Sequence, residues 1–270
     1  MHPPVPTTVT AESGGDCDAT AAVPQTKRRR RRGIARLGRV AVALAGVGGL
    51  LACGGGLPDA DHDGTIRIVV LGDSNTARGW PTPDTVRWVE MAQAMPRPKA
   101  GWRARPVEWT EVAVGGATVC NPGDGWVWAG VQLESALVRH ADGIVLAFGT
   151  NDLGRAHRQP AEVVACYRTI VARVPTTVAV WIALTPPIYA KDGTPSPEVE
   201  RLNDELRAAF PPAQLVDFWT GFGPDLYAGL DAWNTEKLVH LNDAGQQLRA
   251  RRAVDAVLGG RGTPPRGGAS

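Results

Sequence analysis

Ile66-Arg67-Ile68-Val69-Val70-Leu71-Gly72-Asp73-Ser74-Asn75 decides how the rest of the chain is read. Its first six residues form a short apolar run rich in β-branched side chains. That is the pattern of a strand buried on both faces. Gly72 then permits a tight turn, and polar residues take over at Asp73. A strand of this kind belongs to a parallel sheet covered by helices, so helix and strand should alternate downstream.

Helical spacing over 85–95 places Val86, Val89 and Ala92 on one face, and a strand follows over 107–114. A helix over 131–140 precedes a second buried strand over 143–148. The helix over 161–174 carries Val163, Val164, Tyr167, Ile170 and Val171 as its inner stripe. A strand over 177–184 stops at Pro186-Pro187, and a helix spans 197–210. A short strand over 214–218 and a closing helix over 242–258 complete the series. Five alternations over about 200 residues predict an α/β fold with a parallel sheet between helical layers. Ligands in such sheets sit beyond the carboxyl ends of the strands, so those ends hold the candidate residues.

Four strand-end segments carry chemistry. Ser74 follows the first strand, where a hydroxyl can act as a nucleophile and its own N–H can stabilise an oxyanion; a helix N-cap is the structural alternative. Gly115-Gly116 after the second strand lets the backbone approach a ligand closely, or is simply a turn. Asn151, in Gly149-Thr150-Asn151-Asp152 after the third strand, offers a side-chain N–H₂, or makes an Asx turn. His240 precedes the last helix and can serve as a general base.

Singly, each segment has an ordinary structural explanation. Together, in this order, they resemble the blocks of the SGNH (GDSL) hydrolases: Gly72-Asp73-Ser74, Gly116-Ala117-Thr118, Gly149-Thr150-Asn151-Asp152 and His240. The resemblance runs from about Ile66 to Leu258. It implies a three-layer, flavodoxin-like fold with about five parallel strands. It also implies a serine esterase in which Ser74 is the nucleophile and His240 the base, with Ser74, Gly116 and Asn151 forming the oxyanion hole. The Gly-x-Ser-x-Gly elbow of the α/β-hydrolases is absent around Ser74.

One position departs from the family. An Asp usually lies three residues before the His and orients its ring; here that residue is Lys237. Glu236 and Asp231 are the nearby acids, Asp243 lies on the far side, and a backbone carbonyl is a further option. A Ser74–His240 dyad is therefore the leading expectation. A lapsed relative, kept as a cell-surface binding protein, is the alternative that Lys237 supports.

The chain has 270 residues and a formal net charge of +2, but the charge is unevenly placed. Residues 1–52 hold eight Lys/Arg and three acids, whereas the rest holds 21 basic and 24 acidic residues. The globular part is thus slightly acidic, and nothing there suggests a nucleic-acid footprint. Within the leader, Lys27 to Arg32 precede an apolar stretch from Val40 to Ala52 that is short for a membrane span. The stretch ends Leu50-Leu51-Ala52-Cys53, which resembles a bacterial lipobox with Cys53 as the lipidated residue. A twin-arginine signal at Arg31-Arg32 and an uncleaved anchor are alternatives, and a nuclear-type basic run is a weaker one. The expected organisation is a leader over 1–52, a flexible tether over 53–64, the catalytic domain over 65–258 and a loose tail over 259–270. The domain is expected outside the cytoplasm, either membrane-anchored or secreted.

Once Cys17 is removed with the leader and Cys53 is lipidated, Cys120 and Cys166 remain. They either pair in an oxidising compartment or stay as two buried thiols. No Cys-x-x-Cys or His-x-x-x-His spacing occurs, so no metal is expected, and no phosphate cradle points to a cofactor. Of nine Trp, Trp126 and Trp128 are candidates to line an acyl or sugar pocket, while Trp88 and Trp181 read as core. The expected partner is a small-acyl, glycan or lipid ester bound by a monomer, with membrane contact only through the N-terminus.

Overall fold

The computed structural model describes residues 57–78, 86–96, 105–123, 127–230 and 234–259. Cys53, the leader, Trp126 and Asp231 lie outside the described residues. Five strands form one parallel sheet: β1 (Ile66–Gly72), β2 (Val107–Glu111), β3 (Gly143–Ala147), β4 (Ala179–Ala183) and β6 (Leu215–Val216), in the order β2-β1-β3-β4-β6. Counting only these strands, the order is the flavodoxin-like 2-1-3-4-5. The expected three-layer architecture is therefore the one observed.

The side-chain alternation of β1 builds both cores. Ile66, Ile68 and Val70 face a layer made by α1 (Trp88–Ala94) and α6 (Asp243–Leu258). Val69 and Leu71 face α2 (Ala129–Val138), α4 (Pro160–Arg173) and α5 (Pro197–Ala209). Trp88 and Trp181 are buried in the first of these cores, as read. Val163, Val164, Tyr167 and Ile170 are the buried stripe of α4, with Val171 only half-buried.

Four local features refine the sequence reading. Val86 is exposed rather than inward, because α1 begins only at Trp88 and buries Trp88, Val89 and Ala92. Directly after Ser74, Thr76 N and Ala77 N both bond to Asp73 O, closing a turn. Thr150–Gly154 is a short helix, α3, instead of an isolated Asx turn. The antiparallel ribbon of β5 (Tyr189–Ala190) and β7 (Lys237–Leu238) gave no periodic signal, since two residues per strand are too few.

The second half of the segment read as a flexible tether is tied down. Ala60 N and Arg67 N both donate to the carboxylate of Asp142, at 2.5 and 2.8 Å. Gly64 N donates to Asp59 Oδ2 at 3.1 Å.

Cys120 and Cys166 form a disulfide across 46 residues, fastening the loop before α2 to α4. A crosslink over such a loop restricts the unfolded chain. Cys166→Ser is expected to lower the free energy of unfolding by about 2–4 kcal/mol. Urea melts of variant and wild type under non-reducing conditions measure the difference.

Candidate active site

Ser74 sits on the turn that leaves β1, at the switch point between β1 and β3. Its Oγ lies 3.0 Å from Nε2 of His240, and both residues are buried. His240 is fixed by its neighbours on either side. β7 pairs with β5 just before it, Ala228 N donates to His240 O at 2.9 Å, and Tyr227 bridges Leu241 immediately after it. Asn242 then caps α6, accepting from Gly245 N at 3.0 Å and donating to Asp225 O at 2.8 Å. The histidine is thus held between a strand pair and a capped helix.

Gly116 and Asn151 are joined through one loop. Gly116 has φ +78°, and a Cβ there would come within 2.9 Å of Arg155 Nη1, so only glycine fits without a shift. Asn151 Nδ2 donates to Ala117 O at 3.0 Å, and the amide carries a second N–H besides. The next residue, Asp152, is buried and accepts from Val119 N at 2.9 Å and Cys120 N at 3.1 Å. Burial pushes the pKa of Asp152 up against these two donors. α3 therefore grips the Gly116 loop through two adjacent side chains.

Two buried amides clamp the strand ends. Gln132 of α2 accepts from Gly72 N at 2.8 Å and donates to Gly72 O at 2.9 Å. Asn203 of α5 pairs in the same way with Thr185, at 2.8 Å for each bond. A third support is Arg249 of α6, whose Nη1 donates to Asn75 O at 2.6 Å. Its guanidinium lies 5.3 Å from the ring centroid of Trp88 and 4.5 Å from that of Phe218. Burial brings its pKa down to about 10, so it stays cationic at neutral pH. Burial also raises Asp73 to about 6, opposed by the Asn75 N–H and by Arg249.

Sequence reasoning missed Gln132, Asn203 and Arg249. Each is a polar residue on the apolar face of a helix, which is the signal that marks them.

Of the two acids offered for His240, Glu236 lies among the described residues and Asp231 outside them. Glu236 is a correction: its side chain is 73% exposed and ion-paired with Lys191 at 2.9 Å. Lys237, at the family's Asp position, is exposed on the ribbon. Trp128 is half-buried, lies under Arg173 at 5.6 Å and packs against the core beside α2.

A serine hydroxyl on a buried imidazole, at the switch point of a flavodoxin-like sheet, defines an esterase-type serine hydrolase. The model of the GDSL-like lipase/acylhydrolase family matches residues 70–248, a span that contains Ser74, Gly116, Asn151 and His240, and the chain belongs to that family. Among solved structures, it is similar to a lipolytic G-D-S-L family protein of Veillonella parvula, with 22% identity, TM-score 0.51, and 71% of this chain and 97% of that one covered. It is also similar to Est24, a carbohydrate acetylesterase from Sinorhizobium meliloti, with 18% identity, TM-score 0.53, and 72% and 98% covered. A carbohydrate esterase family 3 protein of Talaromyces cellulolyticus gives 15% identity, TM-score 0.51, and 72% and 97% covered. These likenesses show the shared fold. No curated protein matches the chain in sequence.

Gln132→Leu is expected to leave the N–H of Gly72 buried without a partner, while Gly72 O still accepts from Val114 N. The expected cost is about 1–3 kcal/mol, that of one such buried group. Chemical denaturation of the variant against wild type tests it.

Proposed function

We propose that the protein hydrolyses carboxylic esters through an acyl-enzyme on Ser74, with His240 as the base. The observation that carries this reading is the buried 3.0 Å contact between Ser74 Oγ and His240 Nε2. His240 Nε2 takes the hydroxyl proton as Oγ attacks the ester carbonyl carbon. The negative charge moves to the carbonyl oxygen, where the N–H groups of Ser74 and Gly116 and the free N–H of Asn151 receive it. The C–O bond to the alcohol then breaks, and His240 returns the proton to the leaving oxygen. A water molecule repeats the sequence on the acyl-enzyme and releases the acid.

The substrates fitting this reading are small-acyl esters, including glycan O-acetyl groups and lipid esters. The domain works outside the cytoplasm, attached or released at its N-terminus, and the Cys120–Cys166 disulfide supports that compartment. A binding protein without chemistry is the weaker reading, because a mere surface role gives no reason to bury a serine against an imidazole.

Ser74→Ala is expected to lose hydrolysis of a panel of short-chain esters by more than about 10⁴-fold while keeping its fold. A fluorophosphonate probe should label wild type and not the variant. Labelling of Ser74→Ala, or undiminished turnover by it, refutes the assignment. Because Glu236 is engaged by Lys191, Glu236→Gln should leave kcat/KM within about twofold of wild type, a change worth less than roughly 0.5 kcal/mol. A loss of several orders of magnitude would make Glu236 the orienting acid after all.

A further inference from the structure

At the other end of β1 lies a group of side chains that ester chemistry does not use. We propose that the loop from Asp59 to Thr65 is a Ca²⁺ site formed by the carboxylates of Asp59, Asp61 and Asp63. One carboxylate oxygen from each of the three lies within 4.8 Å of the others. Oxygens at about 2.3–2.6 Å from one Ca²⁺ span such distances.

A second observation is an unsatisfied buried oxygen. The Asp59 side chain is only 3% exposed, and its Oδ1 is buried and accepts no hydrogen bond from any described residue. Its other oxygen is already held by Gly64 N and by Arg105 at 3.3 Å. A bare carboxylate oxygen away from water is costly and calls for a cation or a donor.

The charge balance runs the same way. The carboxylates of Asp59, Asp61, Asp63 and Glu108 gather around the guanidiniums of Arg67 and Arg105, and Asp142 adds a fourth aspartate that accepts from the backbone N–H groups of Ala60 and Arg67. Arg67 bridges Asp61 at 3.1 Å and also Asp63. Its Nε is 3.7 Å from Glu108, which is half in solvent and gives Arg67 a second partner when a cation takes the aspartates.

The spacing matches as well. Asp59-x-Asp61-x-Asp63-Gly64 follows the first six positions of an EF-hand calcium loop, and Gly64 has the positive φ, +88°, of the sharp turn at position six. The twelfth position is Val70, buried in β1, so the bidentate glutamate is absent. Backbone carbonyls and water must supply the remaining oxygens. That deficit places the affinity on the order of 10⁻⁴–10⁻³ M, the range of extracellular calcium modules. The expectation of no metal comes from zinc-type Cys and His spacings, which say nothing about an all-oxygen site. β1 separates this loop from Ser74 by roughly 20 Å of strand, so the ion acts on the anchoring of the chain and not on the ester.

The test is calorimetric titration of the full chain with CaCl₂, with thermal melts in 10 mM CaCl₂, 10 mM MgCl₂ or EGTA. One saturable site in the stated range is expected, with Tm raised by roughly 3–8 °C in CaCl₂. Asp61→Asn with Asp63→Asn should abolish both responses while Ser74 still labels with the fluorophosphonate. No saturable heat and no Tm rise in wild type would overturn the proposal. So would an equal rise in MgCl₂, or an undiminished response in the double variant.

Discussion

Where a buried strand stops, its last backbone groups must be held if the turn beyond them is to keep its direction, and in this protein those groups lie just before the nucleophile. The reciprocal pairing of Gln132 with Gly72 answers that constraint. Gly72 needs to be small, since a Cβ there would come within 2.7 Å of Thr76 Oγ1. The turn that displays Ser74 begins on the next residue, so its direction is set by how firmly Gly72 is held. Asn203 on Thr185 and Asp152 on Val119 and Cys120 repeat the device at two further loops. Each uses a side chain that pairs two backbone groups at once, which fixes orientation as well as position.

The electrostatics beneath Ser74 follow from the same burial. Asp73 and Arg249 are both shut away from water, and each shifts toward its neutral form for that reason. Their mutual attraction opposes both shifts. Arg249 is not a bare charge in the core. Trp88 and Phe218 offer aromatic faces to its guanidinium, and Asn75 O accepts a hydrogen bond from it. The backbone carbonyl next to the nucleophile is thereby held from below while the Ser74 hydroxyl faces His240.

Fold and site differ in how far the sequence discloses them. The buried runs of β1 and β3 announce a parallel sheet, because only a strand covered on both faces can be apolar at nearly every position. Ser74, Gly116, Asn151 and His240 were read as a set through their likeness to the family's blocks, the first three after predicted strands and His240 before the last helix. Gln132 and Arg249 were not, because a lone polar residue in a helix reads as surface until its face is known. The ribbon that carries Lys237 is two residues per strand and leaves no period to read. Glu236 misled because nearness in sequence does not direct a side chain: on that ribbon, Lys191 is its neighbour across the pair.

The two edges of the sheet have opposite electrostatic character, and the topology is the reason. In an alternating α/β chain, helices run back against the strands, so their N-termini collect where the strands end. α3 starts at Thr150 directly after the β3 end, and α6 starts at Asp243 directly after His240 and Leu241. Those helix ends bring positive potential to the edge where an oxyanion would form. At the other end of the sheet, α2 ends and Asp142 leads into β3. There the negative ends of helices add to the carboxylates of Asp59, Asp61, Asp63 and Asp142 around the first residues of β1. One strand therefore joins an edge suited to stabilising an anion to an edge suited to holding a cation, and the asymmetry comes from chain direction before any individual side chain is considered.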